Sequence, residues 1–197
     1  MPPKRRQPWK PQQVPGAGPL TARVVLIGEA PGYNEDREGV PFVGAAGYRL
    51  GEWLASVGLT RAQVRIENVV EYRPPGNEIA AFGKVALEAW MEDLHARLAL
   101  LTDPWVIVPM GNYALYALTG LGSVFWHSKD GKHTRPGITK WRGSILEYTD
   151  RRGRTIKVIP TLHPASTFQG REPGPEGETW CKRDWLRIAQ EVQFREV

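Results

Sequence analysis

Short apolar segments alternate with segments of helical periodicity along most of this chain, and the alternation limits the folds it can adopt. Apolar side chains recur every three or four positions around Trp53, Trp90 and Trp185, as on one face of a helix. Strands separated by helices favour right-handed crossovers and a sheet covered on both faces. We therefore predict a single three-layer α/β/α domain with a central, mostly parallel four-stranded sheet. The segments with the length and side chains of buried strands are residues 23–27, 64–70, 105–108 and 156–160.

Two turns with polar side chains follow the first and the last of these strands. Residues 28–32 read GEAPG and include Glu29, whereas residues 163–166 read HPAS and begin with His163. The carboxyl ends of parallel strands line one crevice, in which ligands usually bind. A carboxylate and an imidazole that face each other across a crevice suit a reaction that splits a bond to a leaving anion. This pairing indicates an enzyme.

The net charge of +5 is concentrated near the amino terminus. Residues 1–20 contain four basic side chains, no acidic one and six of the 17 prolines, and the rest of the chain is close to neutral. We predict a basic, proline-rich flexible arm over residues 1–20 and a folded domain over residues 21–197. Such an arm either improves solubility or raises the non-specific affinity for phosphate backbones, and charge alone does not decide between the two.

The cysteine count and the hydropathy restrict the protein's environment. Cys181 is the single cysteine, so the chain forms no internal disulfide and no metal site built from cysteines alone. There is no run of about 18 apolar residues that would predict a membrane span. No apolar stretch follows the first basic residues, as it would in a secretory signal. We expect a cytoplasmic protein that binds neither a metal nor a membrane.

Four groups of residues occur in order along the chain. They are GEAPGYNED with GVPFVGAAG (residues 28–36 and 39–47), NVV with RPPGN (68–70 and 73–77), WRG (141–143) and PTLHPA (160–165). These groups resemble the motifs of family-4 uracil-DNA glycosylases, and the likeness extends from about Val24 to Ala189. A lone GEAPG would be weak evidence, whereas four ordered blocks that include PFVG and HPA are specific.

The resemblance implies a DNA repair enzyme that flips uracil out of double- or single-stranded DNA and hydrolyses its N-glycosidic bond, leaving an abasic site. His163 would donate to the negative charge that develops on uracil O2, as an oxyanion hole does. Glu29 would position water and stabilise the cationic sugar. Glu35 and Asp36 are second candidates for the water, although a solvated loop charge is the favoured interpretation of Asp36. We expect no cofactor and a monomeric enzyme.

The same resemblance implies a pocket for the base. Phe42 would stack on uracil, and the amide of Asn68 would pair with uracil O4 and N3–H, which cytosine presents in reverse. The strict uracil enzymes of the wider superfamily have a tyrosine where this sequence has Gly32, so weak activity on thymine or 5-substituted uracil is expected. The predicted substrate-binding residues are Gly28, Ala30, Pro31, Gly32, Glu35, Phe42 and Asn68.

We expect several loops to contact the DNA. Arg73 and the turn after it would contact phosphates, and Phe168 would wedge into the duplex where the base left. Residues 122–142 and 170–178 are long loops. The first is longer than the family leads us to expect and mixes basic with aromatic residues, which suits single-stranded or distorted DNA unless it is a plain surface loop. The predicted DNA-binding residues are Arg73, Pro74, Gly76, Asn77, Arg142, Ser166, Phe168 and Arg171.

One departure from the family concerns its [4Fe–4S] cluster. Four cysteines hold that cluster: two before the first strand, one directly before the Arg-Pro-Pro and one on the next helix. This sequence has Tyr72 before Arg73 and no cysteine at the other positions, so it cannot build the cluster by itself. Packing by Trp9, Tyr72 or Trp90 would have to replace it, which puts stability rather than catalysis in question.

Two further functions stay open at this point. A non-catalytic superfamily member would bind uracil-containing or damaged DNA, although both Glu29 and His163 are present. A subgroup that bonds covalently to DNA uses a histidine in a basic loop, which residues 76–78 (GNE) do not match. The other function is that of a nucleotide-binding α/β enzyme unrelated to DNA repair, but neither G-x-G-x-x-G nor a P-loop occurs in the sequence.

Overall fold

The computed structural model describes residues 10–130 and 132–193, and a five-stranded sheet lies at its centre. Its strands are β1 (Val24–Gly28), β2 (Val64–Asn68), β3 (Val106–Pro109), β6 (Leu146–Thr149) and β7 (Thr155–Val158), while β4 (Ser128–Lys129) and β5 (Lys132–His133) form a separate hairpin. The order across the sheet is β2-β1-β3-β7-β6. All neighbours are parallel except β6, which runs antiparallel to β7 at one edge.

Helices cover both faces of this sheet. They are α1 (Tyr33–Glu38), α2 (Ala45–Ser56), α3 (Lys84–Ala99), α4 (Asn112–Thr119), α5 (Ile138–Trp141) and α6 (Glu176–Gln193). Leu26 of β1 belongs to a core cluster with Trp53 of α2 and Trp185 of α6. Its neighbour Ile27 points to the opposite face, as alternate strand residues do, and belongs to a second cluster with Leu94 of α3. In the described part of the chain no helix has the length and apolar character needed to cross a membrane.

The predicted three-layer α/β/α architecture with a mostly parallel sheet is confirmed, but the sheet has five strands rather than four. The additional strand, β6, lies at an edge and exposes Glu147 and Thr149. It therefore lacks the continuous apolar pattern that marked the buried strands. The two predicted long loops also contain regular structure, because residues 122–142 include β4, β5 and α5, and α6 begins at Glu176.

Residues 10–20 lie against the domain instead of forming a free arm. Val14 is 1% exposed, and Ala17 exchanges two backbone hydrogen bonds with Ile66 of β2 (2.8 and 2.9 Å). The prediction of a flexible arm therefore does not hold for residues 10–20, because backbone pairing with β2 was not visible in the composition. Residues 1–9, which carry most of the arm's basic charge, lie outside the described residues.

Candidate active site

A crevice of about 570 Å³ opens at the edge of the sheet where the parallel strands end. Its walls come from the segments that follow β1, β2 and β7, as expected for a parallel sheet. Most of the predicted site residues meet there. The lining consists of Glu29, Ala30, Pro31, Gly32, Glu35, Phe42, Ala46, Asn68, Pro74, Asn77, Glu78, His163, Ala165, Ser166, Arg171 and Glu172.

Gly28 allows two crevice side chains to meet behind the first turn. It ends β1 directly beside Asn68, which ends β2 in the same register. A Cβ on Gly28 would lie 2.4 Å from Asn68 Oδ1 and 2.6 Å from the ring of Phe42. Glycine is therefore the residue that fits. Gly28 supports the crevice from behind without belonging to its lining.

The side-chain oxygen of Asn68 is buried without a partner. Asn68 is 3% exposed, and among the described residues no donor reaches its Oδ1. Leaving a buried acceptor unpaired costs about 1–3 kcal/mol, and native structures contain few such groups. Because Asn68 lines the crevice, a ligand with an N–H group would satisfy this oxygen.

Phe42 is held in an uncommon backbone conformation. Its φ of 56° lies in the left-handed region, where residues other than glycine are rare. Arg61 donates to the carbonyl oxygens of Phe42 (2.9 Å) and Pro41 (2.8 Å). Gly47 leaves room for the Phe42 carbonyl oxygen, which a Cβ would meet at 1.7 Å. The Phe42 ring is thereby kept 5.7 Å from the ring of His163, centroid to centroid.

His163 lies at the start of a short 3-10 helix, Pro164–Thr167, after β7. Its Nδ1 accepts a hydrogen bond from the N–H of Ala165 (3.2 Å), so a neutral ring carries its proton on Nε2. Burial lowers the pKa of His163 to about 4, against the opposing effect of the Glu35 charge. The imidazole is therefore neutral near pH 7 and has an N–H to donate.

Glu29 lies on the wall formed after β1, and its pKa is shifted upwards rather than downwards. Burial, and then the negative charge of Glu78, raise the pKa of Glu29 to about 7. The charges of Glu29 and Glu78 also reach the half-buried phenol of Tyr113 in α4, whose pKa is raised mainly by burial. A carboxyl group with this pKa is present in both protonation states near neutral pH, which is typical of a group that acts in catalysis.

Glu35 connects the two halves of the first motif. Its Oε1 accepts hydrogen bonds from the N–H groups of Val43 (3.0 Å) and Gly44 (2.8 Å), and its Oε2 accepts one from Gly32 (3.1 Å). These bonds close the loop around the crevice. Glu35 lines the crevice, but both of its oxygens are engaged by the backbone, so it is a poor candidate for handling water.

Asp36 is a buried carboxylate rather than the solvated charge that the sequence suggested. It is 0% exposed, and its Oδ1 accepts a hydrogen bond from the N–H of Gln12 (2.8 Å). The sequence-based interpretation was wrong because the segment of residues 10–20 covers this side of α1. Of the three acids in this loop, Glu29 remains the candidate for handling water.

Arg73 and Asn77 lie at the rim. Arg73 Nε donates to Asn77 Oδ1 (2.7 Å), and its guanidinium lies 5.0 Å from the ring centre of Tyr33. Pro74 and Asn77 line the crevice, whereas Gly76, with φ of 63°, forms the turn between them. Tyr33 is 51% exposed and does not fill the pocket.

Two predicted DNA contacts on the other rim have partners within the protein. Ser166 lines the crevice, but its hydroxyl donates to the carbonyl oxygen of His163 (2.7 Å). Phe168 is half-buried and lies outside the lining, with the guanidinium of Arg49 5.9 Å from its ring centre. Arg171 is exposed and borders the crevice. A phosphate would have to compete with the internal bond of Ser166.

Arg142 belongs to a buried cluster below the His163 turn. Its Nη2 donates to Asp184 Oδ1 (2.7 Å), and the hydroxyl of Thr161 donates to the other oxygen of Asp184 (2.9 Å). Burial raises the pKa of Asp184 to about 6, against the effects of both partners. Arg142 neutralises a carboxylate inside the protein, which argues against the predicted contact with DNA.

Sequence reasoning missed several residues of the site. Glu78 directly follows the predicted backbone clamp, so its position was a signal that could have been used. Glu172 similarly follows Arg171. No sequence pattern indicated Arg61, because its contact with the Phe42 loop forms only when two separate segments of the chain come together.

Comparison with known proteins identifies the family. The sequence model of the uracil DNA glycosylase superfamily matches residues 15–188. The chain belongs to this superfamily. The type-4 uracil-DNA glycosylase of Archaeoglobus fulgidus is 38% identical over 81% of this chain and 73% of its own length. The enzyme of the same name from Thermotoga maritima is 38% identical over 80% of this chain and 72% of its own length. The one from Pyrobaculum aerophilum is 39% identical over 86% of this chain and 79% of its own length. The resemblance inferred from the motifs is confirmed.

This superfamily member lacks the ligands for the [4Fe–4S] cluster that the resemblance implies. Its single cysteine, Cys181, is buried in α6, and burial raises the pKa of the thiol to about 11. Within residues 10–130 and 132–193 no three His, Cys, Asp or Glu side chains are grouped to hold a metal ion. The residues present therefore do not fit the cluster.

Aromatic side chains pack together in the region where family members have the cysteines of the cluster. The ring of Tyr72, directly before Arg73, packs against the ring of Trp90 in α3 with centroids 5.4 Å apart. Tyr72 also forms a β-bridge with Gln13 of the amino-terminal segment. These contacts join the three segments that carry the cysteines in the family. Of the predicted replacements, Tyr72 and Trp90 meet, and Trp9 lies outside the described residues.

Proposed function

We propose that this chain is a monofunctional uracil-DNA glycosylase that flips uracil out of DNA and hydrolyses its N-glycosidic bond, leaving an abasic site. The observation that carries this proposal is the buried Oδ1 of Asn68 in the crevice, which has no partner among the residues that the structure describes. That oxygen accepts the N3–H of uracil while the amide nitrogen donates to O4. Cytosine has an acceptor at N3 and a donor at C4, so it would leave both partners unpaired.

The two walls suit the charges that separate in this reaction. Cleavage of the N1–C1′ bond places negative charge on uracil O2 and positive charge on the sugar. The neutral ring of His163 donates its Nε2–H to O2. The Glu29 carboxylate stabilises the sugar and accepts a proton from the water whose oxygen bonds to C1′. Uracil leaves as an anion, and Phe42 stacks on it.

The rim suits contact with the DNA around the flipped nucleotide. Arg73 and Arg171 are cations beside the crevice, and Phe168 is the candidate wedge for the vacated duplex position. Tyr33, the residue after Gly32, is half exposed and does not line the crevice, so its ring does not narrow the pocket. Weak activity on thymine is therefore part of the proposal, and equal resistance of a G:T duplex and an unmodified duplex to cleavage would count against that part.

The test is excision from labelled oligonucleotides that carry uracil or cytosine at one position, followed by alkali. The wild-type chain should give cleavage at uracil alone. Asn68→Ala should lower uracil excision and reduce the preference over cytosine, whereas Arg183→Ala, on the exposed side of α6, should change neither. Tight binding of uracil-containing DNA without an abasic product would overturn the proposal in favour of a non-catalytic recognition protein.

A further inference from the structure

The connection between α4 and β6 carries a hairpin that the crevice does not account for. The segments before and after the hairpin are held by Asn112, the first residue of α4, whose Oδ1 accepts hydrogen bonds from the N–H groups of Ser123 (3.3 Å) and Ile138 (2.7 Å). The preceding residue, Gly111, adjoins the catalytic wall, because a Cβ there would lie 3.5 Å from the Cβ of His163. The hairpin therefore starts at the active-site edge of the sheet.

The aromatic residues of this connection are used for internal packing. Trp126 and His127 pack edge-on around Tyr116 of α4, with centroid distances of 5.5 and 5.1 Å. Phe125 packs edge-on against Trp126 at 5.0 Å. These rings are half-buried, so they are not free platforms on which bases could stack. Their packing instead fixes the direction in which the β4–β5 hairpin leaves the domain.

Cations occupy the exposed side of the same hairpin. Lys129 and Lys132 face each other across β4 and β5, and both are exposed. Lys84, at the start of α3, lies 6.0 Å from the ring centre of Trp126 and adds a third cation beside the hairpin. Two acids lie beside these cations: Asp130 in the turn of the hairpin, and Glu88, which pairs with Lys84 (3.5 Å). Arg135, which follows β5, is a further exposed cation. We refer to Lys84, Lys129, Lys132 and Arg135 as the hairpin patch.

The crevice rim itself has little net charge. Arg73 and Arg171 are offset there by Glu78 and Glu172, which line the crevice. DNA binding draws on positive charge because each neutralised phosphate releases counterions. Attraction of a polyanion to this edge therefore requires cations outside the rim, and the hairpin supplies several of them.

We propose that the hairpin patch binds the phosphate backbone of the DNA that flanks the flipped nucleotide. This inference rests on the proposed function for its choice of substrate, and it adds a contact surface outside the family motifs. The patch binds charge rather than sequence, so it should act on uracil-containing and uracil-free DNA alike. It contributes to affinity and not to bond cleavage.

The experiment compares two double variants with equal loss of charge. Lys129→Ala with Lys132→Ala removes two patch cations, and Arg183→Ala with Arg187→Ala removes two exposed cations of α6. Binding to a uracil-free and a uracil-containing duplex is measured at several salt concentrations. In the patch variant the slope of log K against log salt should become shallower by about 1–2. Single-turnover excision at saturating enzyme should stay at the wild-type rate.

The outcomes separate this inference from the proposed function. An unchanged slope in the patch variant, or an equal change in the α6 variant, overturns the inference. Charge reversal with Lys129→Glu and Lys132→Glu should enlarge the loss of affinity. A loss no larger than that of the alanine variant also overturns the inference. Absence of abasic product from the wild-type chain, together with a shallower slope in the patch variant, overturns the proposed function and leaves the patch as a DNA-binding surface.

Discussion

Glu67 and Asn68 are neighbours at the end of β2, and both are buried, at 1% and 3% exposed. Glu67 accepts a charged hydrogen bond from Arg65 (2.7 Å) and pairs with Arg97. The Oδ1 of Asn68 has no partner among the described residues. A buried charged group whose hydrogen bonds are satisfied within the protein stabilises the fold. A buried acceptor at a crevice that has no donor indicates instead that a ligand supplies the donor.

The same contrast extends to the surroundings of each residue. The charge cluster of Glu67 holds the amino-terminal segment to the sheet, since Arg65 also donates to the carbonyl oxygen of Gly18 (2.7 Å). In the crevice, burial shifts the pKa of Glu29 upwards and that of His163 downwards, so both side chains resist charging. Changes in the crevice should therefore alter the reaction rate, and changes in the charge cluster should alter stability.

The largest expected effect comes from the walls of the crevice. His163→Ala should lower the single-turnover rate of uracil excision by a factor on the order of 10²–10³, the usual loss for an oxyanion-type donor. Glu29→Gln should also slow the reaction, and neither change should weaken DNA binding much, because both groups act mainly in the transition state. Unchanged single-turnover excision in both variants would contradict the proposed mechanism and leave the fold and the superfamily membership established.

The charge cluster should give an effect on stability instead. Arg65→Met removes charged hydrogen bonds to Glu67 and should lower the free energy of unfolding by about 2 kcal/mol, measured by denaturant titration. Single-turnover excision should remain at the wild-type rate below the melting temperature. Arg183→Met, an exposed change of the same kind, serves as the control and should alter neither quantity. A marked loss of rate in Arg65→Met would break the separation between the two regions.

The smallest expected effect concerns the pH profile. If ionised Glu29 is required, kcat/KM of the free enzyme should fall as pH drops below about 7, the pKa of Glu29 in the folded protein. His163, with a pKa of about 4, stays neutral throughout this range. Glu78→Gln removes the negative charge that helps to raise the pKa of Glu29, so it should move this acid limb to lower pH.

The shift in Glu78→Gln should be partial, because burial is the larger cause of the raised pKa and remains in the variant. Glu172→Gln is the matched control: it also neutralises a carboxylate of the crevice lining, and the acid limb should stay in place. A limb at the same pH in the wild-type chain and in Glu78→Gln would show that the Glu78 charge does not act on Glu29.

Some parts of the site could be predicted from the sequence and others could not. The turns that carry Glu29 and His163 follow apolar strands, and parallel strands bring such turns together. The interpretation of Asp36 failed because the segment that covers it is distant in sequence and rich in proline. Arg142 was expected to contact DNA, but in the folded protein it pairs with the buried Asp184, which no local pattern indicates.

The sequence by itself determined the three-layer fold, the edge of the sheet that bears the site and the family, because these depend on periodicity along the chain and on contiguous motifs. The tertiary structure decided which polar groups have partners. In the part of the chain that the structure describes, Asn68 Oδ1 has no partner, Glu35 is engaged by the backbone, and Tyr72 packs on Trp90 where the family has cysteines. Hydrogen bonding and desolvation of a side chain depend on neighbours from distant segments, and these are brought together only when the chain is folded.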